Sequence, residues 1–181
     1  MSPNSRELRP SRSGLRYLTL LEATFLIYRL PAWTANLRKR LLKTPKVVMS
    51  DTGLAAYLQN VDARRLNTER SLIGPLLETL VITELCKQQT WSTTQPELAH
   101  FRTAHGEEVD IVLDARGRLV GIEVKASVSV SPTDFRGLRT MEDVTRRRFH
   151  RGVLFYLGDT AVAVGPNLYA IPLPAPWRTA G

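Results

Sequence analysis

The chain has 181 residues, 43% of them hydrophobic and 23% charged, with a formal net charge of +8 and a single cysteine. That length holds one ordinary domain or a domain with a smaller appendage. The composition is that of a folded protein rather than a disordered one. Cys86 alone excludes an intrachain disulfide and a cysteine-rich zinc site. The basic balance favours an anionic partner, nucleic acid before an acidic membrane surface, although Arg far outnumbers Lys and a generally Arg-rich background gives the same sign.

Residues 1–14 read as a loose polar arm with no signal-type apolar core, so a cytoplasmic protein is the default expectation. Tyr17, Leu20 and Leu21 suit a short helix over residues 16–24, followed by a strand from Phe25 to Leu30. A basic loop carries Arg38, Lys39, Arg40, Lys43 and Lys46 into a second short strand, Val47–Met49. Helix, strand, basic loop and strand fit the tail of a winged-helix unit, with Arg38, Lys39 and Arg40 as phosphate contacts on its wing. A solvated basic loop is the alternative. Asp51 or Thr52 can cap a helix through Leu58, and residues 59–70 read as a polar connection.

The strongest helix spans residues 71–89, apolar almost all round, and is expected to be buried on most sides. It stays short of a membrane span because Glu78 and Glu84 interrupt it. Strands are predicted at 98–103, 109–113 and 119–126, with Asp114-Ala115-Arg116-Gly117 turning the last pair into a hairpin. A helix capped around Ser131-Pro132-Thr133-Asp134 follows, then a buried strand at 152–157 and two short strands at 161–164 and 168–171. From residue 71 the order is αβββαβ, which predicts an α/β fold with a mixed sheet covered on both faces. The domain reading is an arm (1–14), an N-terminal segment (15–70) and a main domain (71–181).

Side chains alternate along a strand, so Glu123 and Lys125 point the same way, and Asp110 on the antiparallel neighbour reaches them in the right register. Two carboxylates and a main-chain carbonyl form a hard oxygen site of the kind Mg²⁺ takes. An ammonium beside it can stabilise charge on a phosphoryl group. The same residues could equally be cross-strand pairs on a solvated face. Glu78 lies inside the apolar helix, where an unpaired carboxylate is costly. A metal, a Lys or a water network would remove that cost, and Gly74 one turn earlier lets another chain approach. His100, His105 and His150 have no ligand spacing, and Cys86 reads as core. Arg146, Arg147, Arg148 and Arg151 form either a phosphate grip or a solvated helix end.

Several pieces in order carry a resemblance: Pro45 to Leu54, Gly74-Pro75-Leu76-Leu77-Glu78, Phe101-Arg102-Thr103, Gly106 to Asp110, and Ile122-Glu123-Val124-Lys125-Ala126-Ser127. Together they resemble the PD-(D/E)XK restriction-endonuclease-like nucleases, and within them the domain of unknown function found C-terminal to AAA-type P-loop ATPase modules. The resemblance implies a restriction-endonuclease-like core and a Mg²⁺ or Mn²⁺ site at Asp110, Glu123 and the Val124 carbonyl. It also implies Glu78 as a further ligand, Lys125 as the catalytic lysine, and Arg102 and Ser127 as contacts to DNA. A Mg²⁺-dependent deoxyribonuclease is expected, or a non-catalytic nuclease-fold module that binds nucleic acid or a protein partner. No Gly-x4-Gly-Lys-Ser/Thr occurs, so no ATP site is expected here, and the ATPase module would be a partner outside this chain.

Overall fold

The computed structural model describes residues 12–35 and 44–175. Helix α1 (Arg12–Ala23) leads through Phe25, which has a left-handed backbone, into a hairpin of β1 (Ile27–Leu30) and β2 (Lys46–Met49). The two strands are antiparallel, with register from Ile27 opposite Met49 to Leu30 opposite Lys46. The basic residues Arg38, Lys39 and Arg40 lie outside the described residues.

Helix α2 (Thr52–Leu58) begins at Asp51, whose Oδ1 accepts from the Leu54 N–H at 2.6 Å and so satisfies one otherwise orphaned donor. The polar stretch 59–70 is not a bare connection. It holds a short helix α3 (Ala63–Thr68), capped by Asp62 and braced by Arg65 on Glu69 at 2.9 Å. Capping and a side-chain pair make this helix without an apolar stripe, which is why periodicity misses it.

Helix α4 (Ile73–Gln89) is less enclosed than its composition suggests. Only Val81, Ile82 and Thr83 are buried, and most of its other residues are partly open. One stripe lies on the sheet, and its remaining apolar residues are covered only in part.

Six strands make the main sheet in the order β3-β4-β5-β6-β8-β7: β3 (Glu97–Arg102), β4 (Glu108–Ala115), β5 (Arg118–Val124), β6 (Phe149–Tyr156), β8 (Leu168–Pro172) and β7 (Val162–Ala163). β3, β4 and β5 form an antiparallel meander, β5-β6 and β6-β8 are parallel, and β7 returns antiparallel. Arg116 and Gly117, both with positive φ, close the β4–β5 hairpin in two residues, a conformation whose twist matches the strands it joins.

The parallel crossover from β5 to β6 runs through a 3₁₀ turn (Pro132–Phe135) and α5 (Arg136–Thr145). Ser131 and Asp134 cap this turn reciprocally. Helix α5 covers one face of the sheet. Phe135, Leu138 and Met141 pack with Val109, Val112, Leu119 and Leu154. Gly121 allows this approach, since a Cβ there would stand 2.7 Å from Leu138 Cδ2. Helix α4 covers the opposite face, where Val81 and Ile82 meet Ile111, Ile122 and Val124.

The N-terminal hairpin shares that second core through Leu30 and Val48. It also pairs with the free edge of β3: Trp33 N–H donates to the His100 carbonyl at 2.6 Å, and His100 N–H to the Pro31 carbonyl at 3.0 Å. No helix among the described residues is long and apolar enough to cross a membrane.

Candidate functional site

Asp110 owes its position to an irregularity. Ala99 pairs with Val112 and Phe101 with Val109, so two residues of β4, Asp110 and Ile111, stand against His100 alone. Such a bulge re-aims a side chain and is often found beside active sites. On its other side β4 keeps a regular register, Ile111 opposite Ile122 and Val112 opposite Gly121, which brings Asp110 next to Glu123. Asp110 Oδ2 accepts from the Val124 N–H at 3.0 Å.

Glu123 is 9% exposed, the one acidic residue among the buried described residues. Burial, then the charge of Asp110 and a hydrogen bond to it, push its pKa up to about 9, against the pull of Lys125 and Lys46. At neutral pH it is therefore an un-ionised acid hydrogen-bonded to Asp110. Two carboxyl groups in contact in a dry site cannot both hold a negative charge without a cation between them. Glu123 is also crowded from the helix side: a Cβ on Gly137 would be 2.7 Å from Glu123 Oε1 and 2.0 Å from the Glu108 carbonyl oxygen.

Glu78 completes the group from α4. Its charge and that of Asp110 disfavour each other, and burial together with Asp110 raises its pKa. The partner that compensates is Lys46, at the start of β2. Its ammonium contacts Glu78 Oε1 and lies 3.5 Å from Asp110 Oδ1. Burial works against this ammonium, but Asp110 and Glu78 outweigh it, so its pKa is raised. Lys46 was not a site candidate on sequence, although a signal exists. Lys46 and Val48 share a strand face, and Val48 is buried against α4.

Of the other expected residues, Val124 is at the site through its N–H. Lys125 lies one residue past β5, which ends earlier than expected, yet its N–H still bonds the Phe155 carbonyl at 2.8 Å. Its charge is felt at Glu123. Arg102 is an exposed cross-strand partner of Glu108 at 2.9 Å. Ser127 Oγ donates to the Ser129 carbonyl at 2.7 Å within its own loop. Ala126 passes Gly74, 4.0 Å from where a Cβ there would be.

The arginines at 146–151 do not form one grip. Arg148 bonds Asp114 Oδ2 at 2.9 Å and lies over Trp33, while Arg151 bonds Asn167 Oδ1 and lies over Tyr169. His150 meets Arg118, and desolvation, then the charges of Arg118 and Arg151, lower its pKa.

Among the described residues, no three His, Cys, Asp or Glu side chains are disposed to enclose a metal ion. Mg²⁺ does not require such a cage: one or two carboxylates suffice when water and phosphate supply the other ligands. Asp110 and Glu123 are adjacent, with Glu123 held neutral by burial and by the charge of Asp110, and their oxygens fit that two-carboxylate role.

Residues 11–65 match a family described as Domain of unknown function (DUF8612). Uncharacterized proteins of Mycobacterium bovis and Mycobacterium tuberculosis are each 30% identical over 158 residues, covering 82% of this chain and 34% of their own length. The chain thus spans 34% of the length of these relatives. No solved structure matches. Residues 73–175, more than half of the chain and the part that carries Glu78, Asp110, Glu123 and Lys125, match the family described as Domain of unknown function (DUF4143), to which this chain therefore belongs.

Proposed function

We propose that the chain carries a restriction-endonuclease-like core with a Mg²⁺-dependent phosphodiesterase site that acts on DNA, and that it works beside an ATPase module outside this chain. The convergence of Glu78, Asp110 and Glu123 from a helix and two adjacent strands, with Lys125 close by, carries this reading. Asp110 and Glu123 would hold the cation, and the nearby Glu78 could accept from its bound water. A bound divalent ion lowers the pKa of water and neutralises phosphate charge.

The rest falls to the chain itself. The Val124 N–H fixes the rotamer of Asp110, and Gly137 leaves room for the Glu123 carboxyl beneath α5. Lys125 brings a positive charge next to Glu123, suited to stabilising charge that grows on the phosphoryl oxygens. In hydrolysis the water oxygen joins phosphorus, the bond from phosphorus to one ester oxygen breaks, and that oxygen leaves with a proton.

The test is cleavage of a panel of single-stranded, double-stranded and branched DNA with Mg²⁺ or Mn²⁺. Cleavage that EDTA stops and that Asp110→Ala, Glu123→Gln and Lys125→Ala each abolish supports the reading. Metal-independent cleavage, or activity that survives in Asp110→Ala, overturns it. A non-catalytic module that binds nucleic acid or protein is the second reading, favoured by the ammonium of Lys46 among the carboxylates. It predicts salt-sensitive DNA binding with no metal requirement and no cleavage.

A further inference from the structure

Lys46 does not belong to the sheet that carries Asp110 and Glu123. It sits on β2 of the N-terminal hairpin, a separate two-stranded unit, and reaches across to the carboxylates. An ordinary structural ion pair needs one acid for one base. Here acids from α4, β4 and β5 gather, and the ammonium that touches two of them comes from another unit. The backbone behind it is held firmly. Lys46 pairs with Leu30, and both Leu30 and Val48 are buried against α4. The side chain is 28% exposed, and its four-carbon stem can swing to water without moving β2.

We propose that Lys46 is a tethered stand-in for the divalent cation, neutralising Glu78 and Asp110 in the metal-free protein and leaving Asp110 when a divalent ion binds there. This rests on the metal-dependent reading above. The physical reason is exclusion by like charge. An ammonium 3.5 Å from Asp110 Oδ1 and a divalent ion on the same carboxylate repel strongly in a partly dry site. The Lys46 side chain therefore gates the site: turned inward it opposes metal loading, and swung outward it permits it.

The experiment is calorimetric titration of Mn²⁺ into the full chain as wild type, Lys46→Met, and Lys46→Met with Asp110→Asn. Each is run alone and with a cleavage-resistant phosphorothioate duplex. Lys46→Met is expected to bind Mn²⁺ about tenfold or more tighter than wild type, as removal of a nearby unit charge implies, and the added Asp110→Asn to abolish the gain. If wild type binds through Asp110 and Lys46→Met binds equally or more weakly, the stand-in role is overturned and the metal reading stands. If neither protein binds Mn²⁺ in either condition, both fall. Should Lys46→Met fail to fold, acetylation of Lys46 in the wild type, followed by mass spectrometry, decides the matter. The rate is expected to rise several-fold with Mn²⁺ bound, and an unchanged or lower rate overturns the proposal.

Discussion

The Val124 N–H donates to Asp110 Oδ2 at 3.0 Å, so the carboxylate on β4 is tied to the strand that carries Glu123. The bond joins the two strands of the candidate site. It also separates two roles of Asp110, as acceptor and as charge. Asp110→Ala leaves the Val124 N–H without its partner, at a cost of about 1–3 kcal/mol. Asp110→Asn keeps an acceptor oxygen for the Val124 N–H and relieves repulsion with Glu78, while it gives up the ion pair with Lys46. Urea unfolding in EDTA is expected to find the Asn variant near wild type and the Ala variant clearly less stable. Equal losses would show that the hydrogen bond is not what matters.

Glu123 gives the metal-free protein a characteristic pH response. Its folded pKa, about 9, lies above the ordinary glutamic-acid value of 4.5, so the folded state holds a proton that the unfolded state gives up. Its contribution is fully present below pH 4.5 and is lost as pH rises toward 9, by at most about 1.4 kcal/mol per pH unit. Melting temperature in EDTA should therefore fall for wild type between pH 6 and pH 9, set against ~4.5 and ~9 as the limits of the window. Glu123→Gln, which cannot ionise, should fall less steeply. Parallel profiles for the two proteins would refute the assignment.

Gly137 is required by space rather than by backbone conformation. The Cβ of Gly137→Ala would stand 2.0 Å from the Glu108 carbonyl oxygen and 2.7 Å from Glu123 Oε1. Since the first neighbour is backbone, the start of α5 has to move. The expected loss is about 1–3 kcal/mol, the usual range for overpacking. Calorimetric melting should show it, together with weaker divalent-metal binding because Glu123 is displaced. A variant with wild-type stability would mean that α5 sits farther from β4 than described.

At the other end of the sheet, Arg148 bonds Asp114 and the Gly117 carbonyl and stacks on Trp33. Arg148→Ala should cost about 0.5–2 kcal/mol, since one partner is half-exposed and a cation–π contact goes with the ion pair. DNA cleavage per folded molecule should stay unchanged. A large loss of DNA affinity instead would restore a phosphate-binding role to this arginine.

Strand alternation put Glu123 and Lys125 forward together, and an acid in the middle of an apolar helix put Glu78 forward. Both deductions use local periodicity, which a single sequence carries directly. The bulge at Asp110–Ile111 was not legible, because it depends on how β3 registers against β4. Helix α3 was hidden because caps and an ion pair hold it rather than an apolar stripe. Lys46 could have been found by setting Lys46 beside Val48 on the inner face of β2. Its partner, however, is 32 residues away on α4, and only the tertiary fold brings Glu78 within reach.

The pairing of residues 31–33 with His100 has a consequence for handling the protein. β3 is the sheet's outermost strand on one side, while the other side ends in β7, only two residues long. An open strand edge is a template for joining other chains, and short edge strands or covering segments blunt it. A fragment beginning at residue 71 would lose the cover over β3 and present a six-residue edge with Leu98, Ala99 and Phe101 beside it. Such a fragment is expected to self-associate, strand against strand, where the longer chain stays dispersed.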